Sequence, residues 1–176
     1  MDDEPLDTTT LPAWLDAMGA ALRGDADADV ACGTCTACCR SRQFVHVAPD
    51  ETDTLAHLPT ELLVPAPGLP AGHRILGYDA DGRCPMLGAH GCTIYDHRPR
   101  TCRTYDCRVF AATGLDPTAD GKPAIGDQAR RWRFADADSD AHRALAAELA
   151  AAAQAADGDA TARAVRAVAV VLRSRA

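Results

Sequence analysis

The sequence predicts a small α+β protein: an irregular, metal-stapled cysteine domain with short β-hairpins, plus an N-terminal helix and a C-terminal helical hairpin. Three observations lead there. Eight cysteines in a chain of 176 residues fall in two windows, Cys32 to Cys39 and Cys84 to Cys107. Short apolar runs bounded by glycine, proline and aspartate lie around them, as strands joined by turns require. Beyond about Gly114 the texture changes to alanine-rich stretches with helical periodicity. The expected pieces are an acidic N-terminus and helix (1–26), a cysteine-cluster metal-binding domain (27–114) and a mainly helical extension (115–176).

Taken in order, Leu11 to Arg23 reads as a helix with Thr10 as N-cap, Pro12 in the first turn and Gly24 past the end. Its apolar face is predicted to hold Leu11, Leu15, Met18 and Leu22. Gln43 to Val47 suits a short, partly buried strand through Phe44, Val45 and Val47. Pro49 and Asp50 open a helical turn to about His57, and the prolines and glycines from Pro65 to Gly72 mark an irregular connection. His73 to Tyr78 is a second strand, and Asp79 to Gly82 a turn from which Arg83 to Leu87 is expected to pair back. A further turn at Gly88 to Gly91 precedes Cys92 to Tyr95. A helix is expected after Asp96 as N-cap, with Pro99 in its first turn. Ser139 to Ala156 and Thr161 to Arg173 read as helices separated by Asp157, Gly158 and Asp159, with Val165, Val168 and Leu172 on one face of the last.

Composition narrows the function. Only 5% of residues are aromatic and much of the 47% hydrophobic fraction is alanine, so the core is thin and a metal or cross-link offsets it. The net charge of −7 argues against a general nucleic-acid binder. Around the cysteines the balance reverses: from Ala31 to Arg42 and from Asp81 to Arg108, Arg40, Arg42, Arg83, Arg98, Arg100, Arg103 and Arg108 face only Asp81, Asp96 and Asp106. Guanidinium groups near thiolates stabilise the deprotonated ligand. The acidic start lacks the basic and apolar regions of an export signal, and no run is long enough to span a bilayer, so a soluble, cytoplasmic protein is expected. In a reducing compartment, closely spaced cysteines are metal ligands or redox groups before they are disulfides.

The run Cys32-Gly33-Thr34-Cys35-Thr36-Ala37-Cys38-Cys39 carries the metal signal, because two-residue gaps let sulfurs converge through a tight turn that Gly33 eases. Adjacent Cys38 and Cys39 diverge, which suits different metals or one non-ligating thiol. With Cys84, Cys92, Cys102 and Cys107, eight thiolates fill two closed tetrahedral zinc sites. Cys102 and Cys107 lie about 140° apart on a regular helix, so either the helix breaks between them or they face different partners. Iron competes with zinc: Cys32, Cys35 and Cys38 match the start of a bacterial-type iron–sulfur run, and Cys84-Pro85 resembles its remote fourth position, although Cys39 departs from the pattern. His90 and His97, flanking Cys92, are alternative ligands or hydrogen-bond donors to them.

Together with Cys84-Pro85 and Cys92-Thr93-Ile94-Tyr95-Asp96-His97-Arg98-Pro99-Arg100-Thr101-Cys102-Arg103, the cluster resembles the YkgJ-type cysteine-cluster family, described as a zinc- or iron-chelating domain. The resemblance covers Ala31 to Arg108. It implies metal binding at cysteines, with zinc or iron, the latter also as an iron–sulfur cluster, as cofactor; it implies no particular reaction. In that frame Pro99 fixes a helix entry, Ile94 and Tyr95 anchor the hairpin, and Arg98 and Arg103 neutralise thiolate charge beside the ligands, unless they instead pair with Asp96 or Asp106.

Three functions compete at this level: a metal-binding module, an iron–sulfur protein in electron transfer or in support of a modification reaction, and a nucleic-acid module using Arg130, Arg131, Trp132, Arg133 and Phe134. The last conflicts with the surrounding acidity, and the same alternation fits an edge strand with one buried face. No Walker-type loop or His-Glu-x-x-His pair occurs, and no catalytic residue is assigned. The metal ion is the one partner the sequence names.

Overall fold

The computed structural model describes residues 4–28, 30 and 34–175. In chain order they form strand β1 (Leu6–Thr8), helix α1 (Leu11–Arg23), strand β2 (Val45–Val47), helix α2 (Thr52–His57), strands β3 (Leu63–Pro65), β4 (Arg74–Leu76), β5 (Leu87–Gly88) and β6 (Gly91–Cys92), helices α3 (Arg100–Thr104), α4 (Arg108–Thr113) and α5 (Pro123–Arg131), strand β7 (Trp132–Phe134), and helices α6 (Asp140–Ala155) and α7 (Ala160–Arg175). The protein is α+β, with 3₁₀ turns at Cys38–Arg40, Thr60–Leu62, Tyr95–His97 and Pro117–Asp120.

Two compact units share the chain: Met1–Asp29 with Asp106–Ala176, and Val30–Tyr105. The expected N-terminal and C-terminal pieces thus fall in one helical unit, and most of the cysteine region in the other.

In the helical unit, α1 starts where Thr10 Oγ1 accepts the Ala13 N–H and stops at Gly24, whose φ of 79° closes the helix in the left-handed region. Its buried face holds Leu11, Trp14, Leu15, Met18 and Ala21, whereas Leu22, expected on that face, is 42% exposed. Trp14 takes the central place, packing edge-on against Phe134. β7 pairs parallel with β1, burying Trp132 and Phe134 and leaving Arg133 outside. Of the Arg130–Phe134 stretch, Trp132–Phe134 is therefore a strand with one buried face, and Arg130 and Arg131 end α5. Helix α6 is capped by Ser139, whose hydroxyl accepts the His142 N–H, and packs on α7. The buried face of α7 is Ala160, Ala164, Ala167, Val168 and Val171; of the expected trio Val165, Val168 and Leu172, only Val168 is buried. Small residues there let the two helices approach closely.

A buried ionic knot closes this unit. Asp106 accepts the Trp14 indole N–H at 2.8 Å and the Arg108 guanidinium at 2.8–3.0 Å, while Arg108 Nη1 donates to Thr8 Oγ1. Asp106 and Arg108 are 3% and 7% exposed, so their pairing offsets the loss of water around both charges.

The cysteine unit contains a three-stranded antiparallel sheet ordered β2-β4-β3. With both edges of β4 taken, Arg83 to Leu87 does not pair back on it as expected beyond the turn bond from Asp79 N–H to the Arg83 carbonyl. The predicted turn at Asp79 to Gly82 does form, held by Asp79 Oδ1 on the Asp81 and Arg83 N–H groups. Val45, Val47, Leu58, Leu76 and Ile94 make the core of this unit, and Cys84, Met86, Cys92 and Cys102 pack against it.

Candidate metal centre

The first cysteine window ends in the 3₁₀ turn Cys38–Arg40. Cys38 and Cys39 open it, and Ser41 closes it by donating its hydroxyl to the Ala37 carbonyl at 2.7 Å. Cys32 and Gly33 fall outside the described residues. Arg42 leaves the turn with φ of 51°, a conformation unfavourable for a long side chain, and its N–H donates to the Gly82 carbonyl. Gly82 itself sits at φ 79°, and a Cβ there would lie 2.5 Å from Arg42 Cγ. Two residues on, the Cys84 N–H donates to the Cys39 carbonyl at 2.7 Å. Backbone hydrogen bonds thus lace the two cysteine windows together at Cys39 and Cys84.

Cys92 is delivered by the β5–β6 hairpin, in which it stands opposite Leu87, while the Leu87 N–H reaches the Cys84 carbonyl. Cys102 comes from α3, which begins at Arg100 and not after Asp96 as expected. Arg98 precedes a proline and is therefore held extended, with ψ of 142°, which delays the helix past Pro99. Glu51, 8% exposed, anchors this helix: its carboxylate accepts the Ala48 N–H at 2.9 Å and the Arg100 N–H at 2.5 Å. Thr101 adds a hydroxyl bond to the His46 carbonyl on β2.

These segments bring Cys35, Cys38, Cys39, Cys84, Cys92 and Cys102 to the wall of one cavity of about 380 Å³. Phe44, Val45, Leu76, Met86 and Ile94 form its apolar side. Cys107 is not among the lining residues. The helix breaks at Tyr105, and Cys107 belongs to the helical unit, buried, with its sulfur accepting the Trp132 indole N–H at 3.3 Å.

Electrostatics in the cavity work against bare thiolates. Burial, then the neighbouring sulfurs of Cys84, Cys39 and Cys92, push the Cys102 thiol up to about 12, with Arg98 opposing weakly. Burial also raises Cys84, partly offset by the Met86 N–H and reinforced by Cys92 and Asp79. A divalent cation reverses both penalties, since it supplies the charge that lets several buried sulfurs ionise together. The donor set, sulfurs of soft character from three separate segments, fits zinc or iron.

The chain matches the CxxCxxCC family, described as "Putative zinc- or iron-chelating domain", over residues 31–118. That match spans half of the sequence. The chain belongs to the CxxCxxCC family. No curated protein and no solved structure matches it. The region that makes it a CxxCxxCC protein contains every cysteine, and metal chelation is the property the family description carries.

Of the residues singled out beside the cysteines, Arg98 stacks over the Tyr95 ring at 3.6 Å and donates from Nε to the Tyr95 carbonyl at 2.7 Å. Arg103 donates to the Arg98 carbonyl at 2.6 Å. Both Tyr95 and Arg98 line the cavity. Tyr95 is 46% exposed, so the expected hydrophobic anchor is Ile94 alone, with Tyr95 serving as a platform for the guanidinium. Asp106 is engaged by Arg108, the partner the sequence had not nominated. His90 also lines the cavity, whereas His97 stacks on His57, a pairing across 40 positions that no local pattern signals.

Because the Arg98 charge is only a minor influence on Cys102, Arg98→Ala is expected to weaken zinc retention by roughly two- to fivefold, as for a partly screened pair worth about 0.5–1 kcal/mol. Competition with a chromophoric chelator measures it, and unchanged retention would remove the electrostatic role. No helix among the described residues is long and apolar enough to cross a membrane.

Proposed function

We propose that residues 30–105 form a thiolate metal centre whose ligands come from Cys35, Cys38, Cys39, Cys84, Cys92 and Cys102, together with Cys32 at the head of the run. The observation that carries this reading is the meeting of six cysteines from three segments at one cavity beside a small apolar core. Tetrahedral zinc with bonds of about 2.3 Å spaces its sulfurs at about 3.8 Å. Ligands drawn from separate segments of a small unit couple ligation to folding. When bound, the ion supplies charge and cross-linking. The chain's own residues hold the sulfurs, exclude water on the apolar side and place Arg98 beside them. Cys107 serves the core of the helical unit in this reading.

Zinc and iron then part on nuclearity. A cavity of about 380 Å³ has room for more than one ion, which favours a polynuclear or sulfide-bridged centre as the second reading. Elemental and acid-labile sulfide analysis of anaerobically purified protein separates them: colourless protein with zinc and no sulfide supports the first, brown protein with stoichiometric sulfide the second. Cys102→Ser is expected to lower metal content by one half or more, and Cys107→Ser to leave it unchanged. Equal losses in both variants would overturn the assignment of Cys107, and retention in Cys102→Ser would overturn the centre.

A further inference from the structure

The proposed metal centre uses the sulfurs of the cavity and gives its apolar wall little to do. Phe44, Val45, Leu76, Met86 and Ile94 offer an ion no strong donor, and a space of about 380 Å³ falls in the range of small-molecule sites, roughly 300–1,000 Å³. Two large aromatic side chains that line it, Phe44 and Tyr95, are exposed. A ligand with an apolar body would take them out of water.

One side chain in the wall carries a permanent charge. Arg98 is half-buried, and no aspartate or glutamate lines the cavity with it among the described residues. Its guanidinium is fixed from two directions: Nε donates to the Tyr95 carbonyl at 2.7 Å, and the central carbon lies 3.6 Å from the centroid of the Tyr95 ring. The backbone is held too, because Pro99 keeps Arg98 extended and Arg103 Nη1 donates to its carbonyl at 2.6 Å. These contacts use one of the five guanidinium N–H groups. Among the described residues neither Nη atom of Arg98 has a hydrogen-bond or ion-pair partner. The nearest thiol takes up little of the charge, since Arg98 influences Cys102 less than burial or the neighbouring sulfurs do. Nη1 and Nη2 form a planar fork matched to the two oxygens of a carboxylate, and a guanidinium already held at Nε loses little freedom when that fork closes on one.

We propose that the cavity is a binding site for a small organic carboxylate with an apolar body, the carboxylate clasped by Nη1 and Nη2 of Arg98 and the body lying against Phe44 and Met86. The inference rests on the proposed metal centre for one thing, an ion that offsets the charge of the sulfurs, and it needs no bond from carboxylate to ion. Inorganic phosphate would satisfy the fork but has nothing to place on the apolar wall, so the wall selects the carboxylate class.

The test titrates the full chain, purified anaerobically with its metal content measured, with sodium benzoate as the probe, following ¹³C-labelled methionine methyl groups. Met86 lines the cavity, and Met18, buried in the helical unit, is the internal control. Benzoate should move the Met86 methyl in one saturable transition at millimolar concentration and leave Met18 in place. Benzamide, which lacks the charge, and acetate, which lacks the ring, should each bind about tenfold more weakly or worse. In Arg98→Gln at equal metal content, benzoate should fall to the level of benzamide, a loss of preference that general loosening of the cavity does not produce; an unchanged amide spectrum verifies that the variant is folded. The proposal is overturned if metal-loaded protein leaves Met86 unmoved in tens of millimolar benzoate, if benzamide or inorganic phosphate binds as tightly as benzoate, or if Arg98→Gln keeps the preference for benzoate. Metal analysis of the same sample keeps the two readings apart: folded protein without metal counts against the thiolate centre, and the Met86 response still decides the carboxylate site.

Discussion

Chelation of the metal under reducing conditions is expected to unfold residues 30–105 while the helical unit keeps its structure. The cysteine unit has five buried hydrophobic residues in its core, and its strands are two or three residues long. A core of that size leaves a unit of this length marginal, because ordering the backbone opposes burial at about 1–2 kcal/mol per residue. Sulfur ligation makes up the difference, and binding free energy becomes folding free energy. The helical unit owes its helices to Trp14, Phe110, Leu145, Leu149 and Val168, all nearly or fully buried and none a ligand. Circular dichroism at 222 nm should therefore retain most of its signal after chelation, while amide hydrogen exchange in 30–105 becomes fast. Acid should act in the same direction, since each ligating thiolate regains a proton as the pH falls and the ion is released. Full protection of 30–105 in metal-free protein would refute the coupling.

Asp106→Ala should be among the most destabilising single substitutions in the helical unit, by about 3–5 kcal/mol, because it takes the carboxylate from a guanidinium 7% exposed and removes the acceptor of the Trp14 indole. For a unit of this size the melting temperature should fall by about 12 °C or more. Removing both charges together, as Asp106→Leu with Arg108→Met, should recover part of the loss, since it removes the broken charge pair but still leaves the Trp14 indole without its acceptor. Thermal melts of the single and double variants decide the matter: equal destabilisation in both would show that packing, not the orphaned charge, is what the knot provides.

How much of this was readable beforehand depended on whether the signal was local. Helix α1 announced both its ends, because Thr10 and Gly24 act within a few residues of themselves. The cysteine run carried the signature of the zinc- or iron-chelating family for the same reason, its spacing being local to eight residues. Failures came where distant chain decides. Trp14 joined the buried face, where Asp106, 92 residues away, offers the indole an acceptor, and Leu22 in the last turn stayed 42% exposed. β4 found partners on both sides in β2 and β3, which turn signals around Gly82 do not reveal. The start of α3 was misread because the restriction that Pro99 places on Arg98 outweighed the capping preference of Asp96. The stacked His57 and His97 lay beyond any sequence pattern, their shared Asp53 being 44 positions from the second ring.

The division of the chain also orders events during synthesis. The segment 30–105 leaves the ribosome whole, while β1 and α1 must wait for β7, which pairs Leu6 with Trp132, and for the helices around it. At translation rates of about 5–20 residues per second, the roughly 30 residues from Asp106 through β7 take on the order of 1.5–6 s to emerge. For that interval the cysteine unit has been made while β7, the partner of β1, has not. A thiolate centre in 30–105, as proposed above, is therefore able to take up its ion before the β1–β7 pair exists.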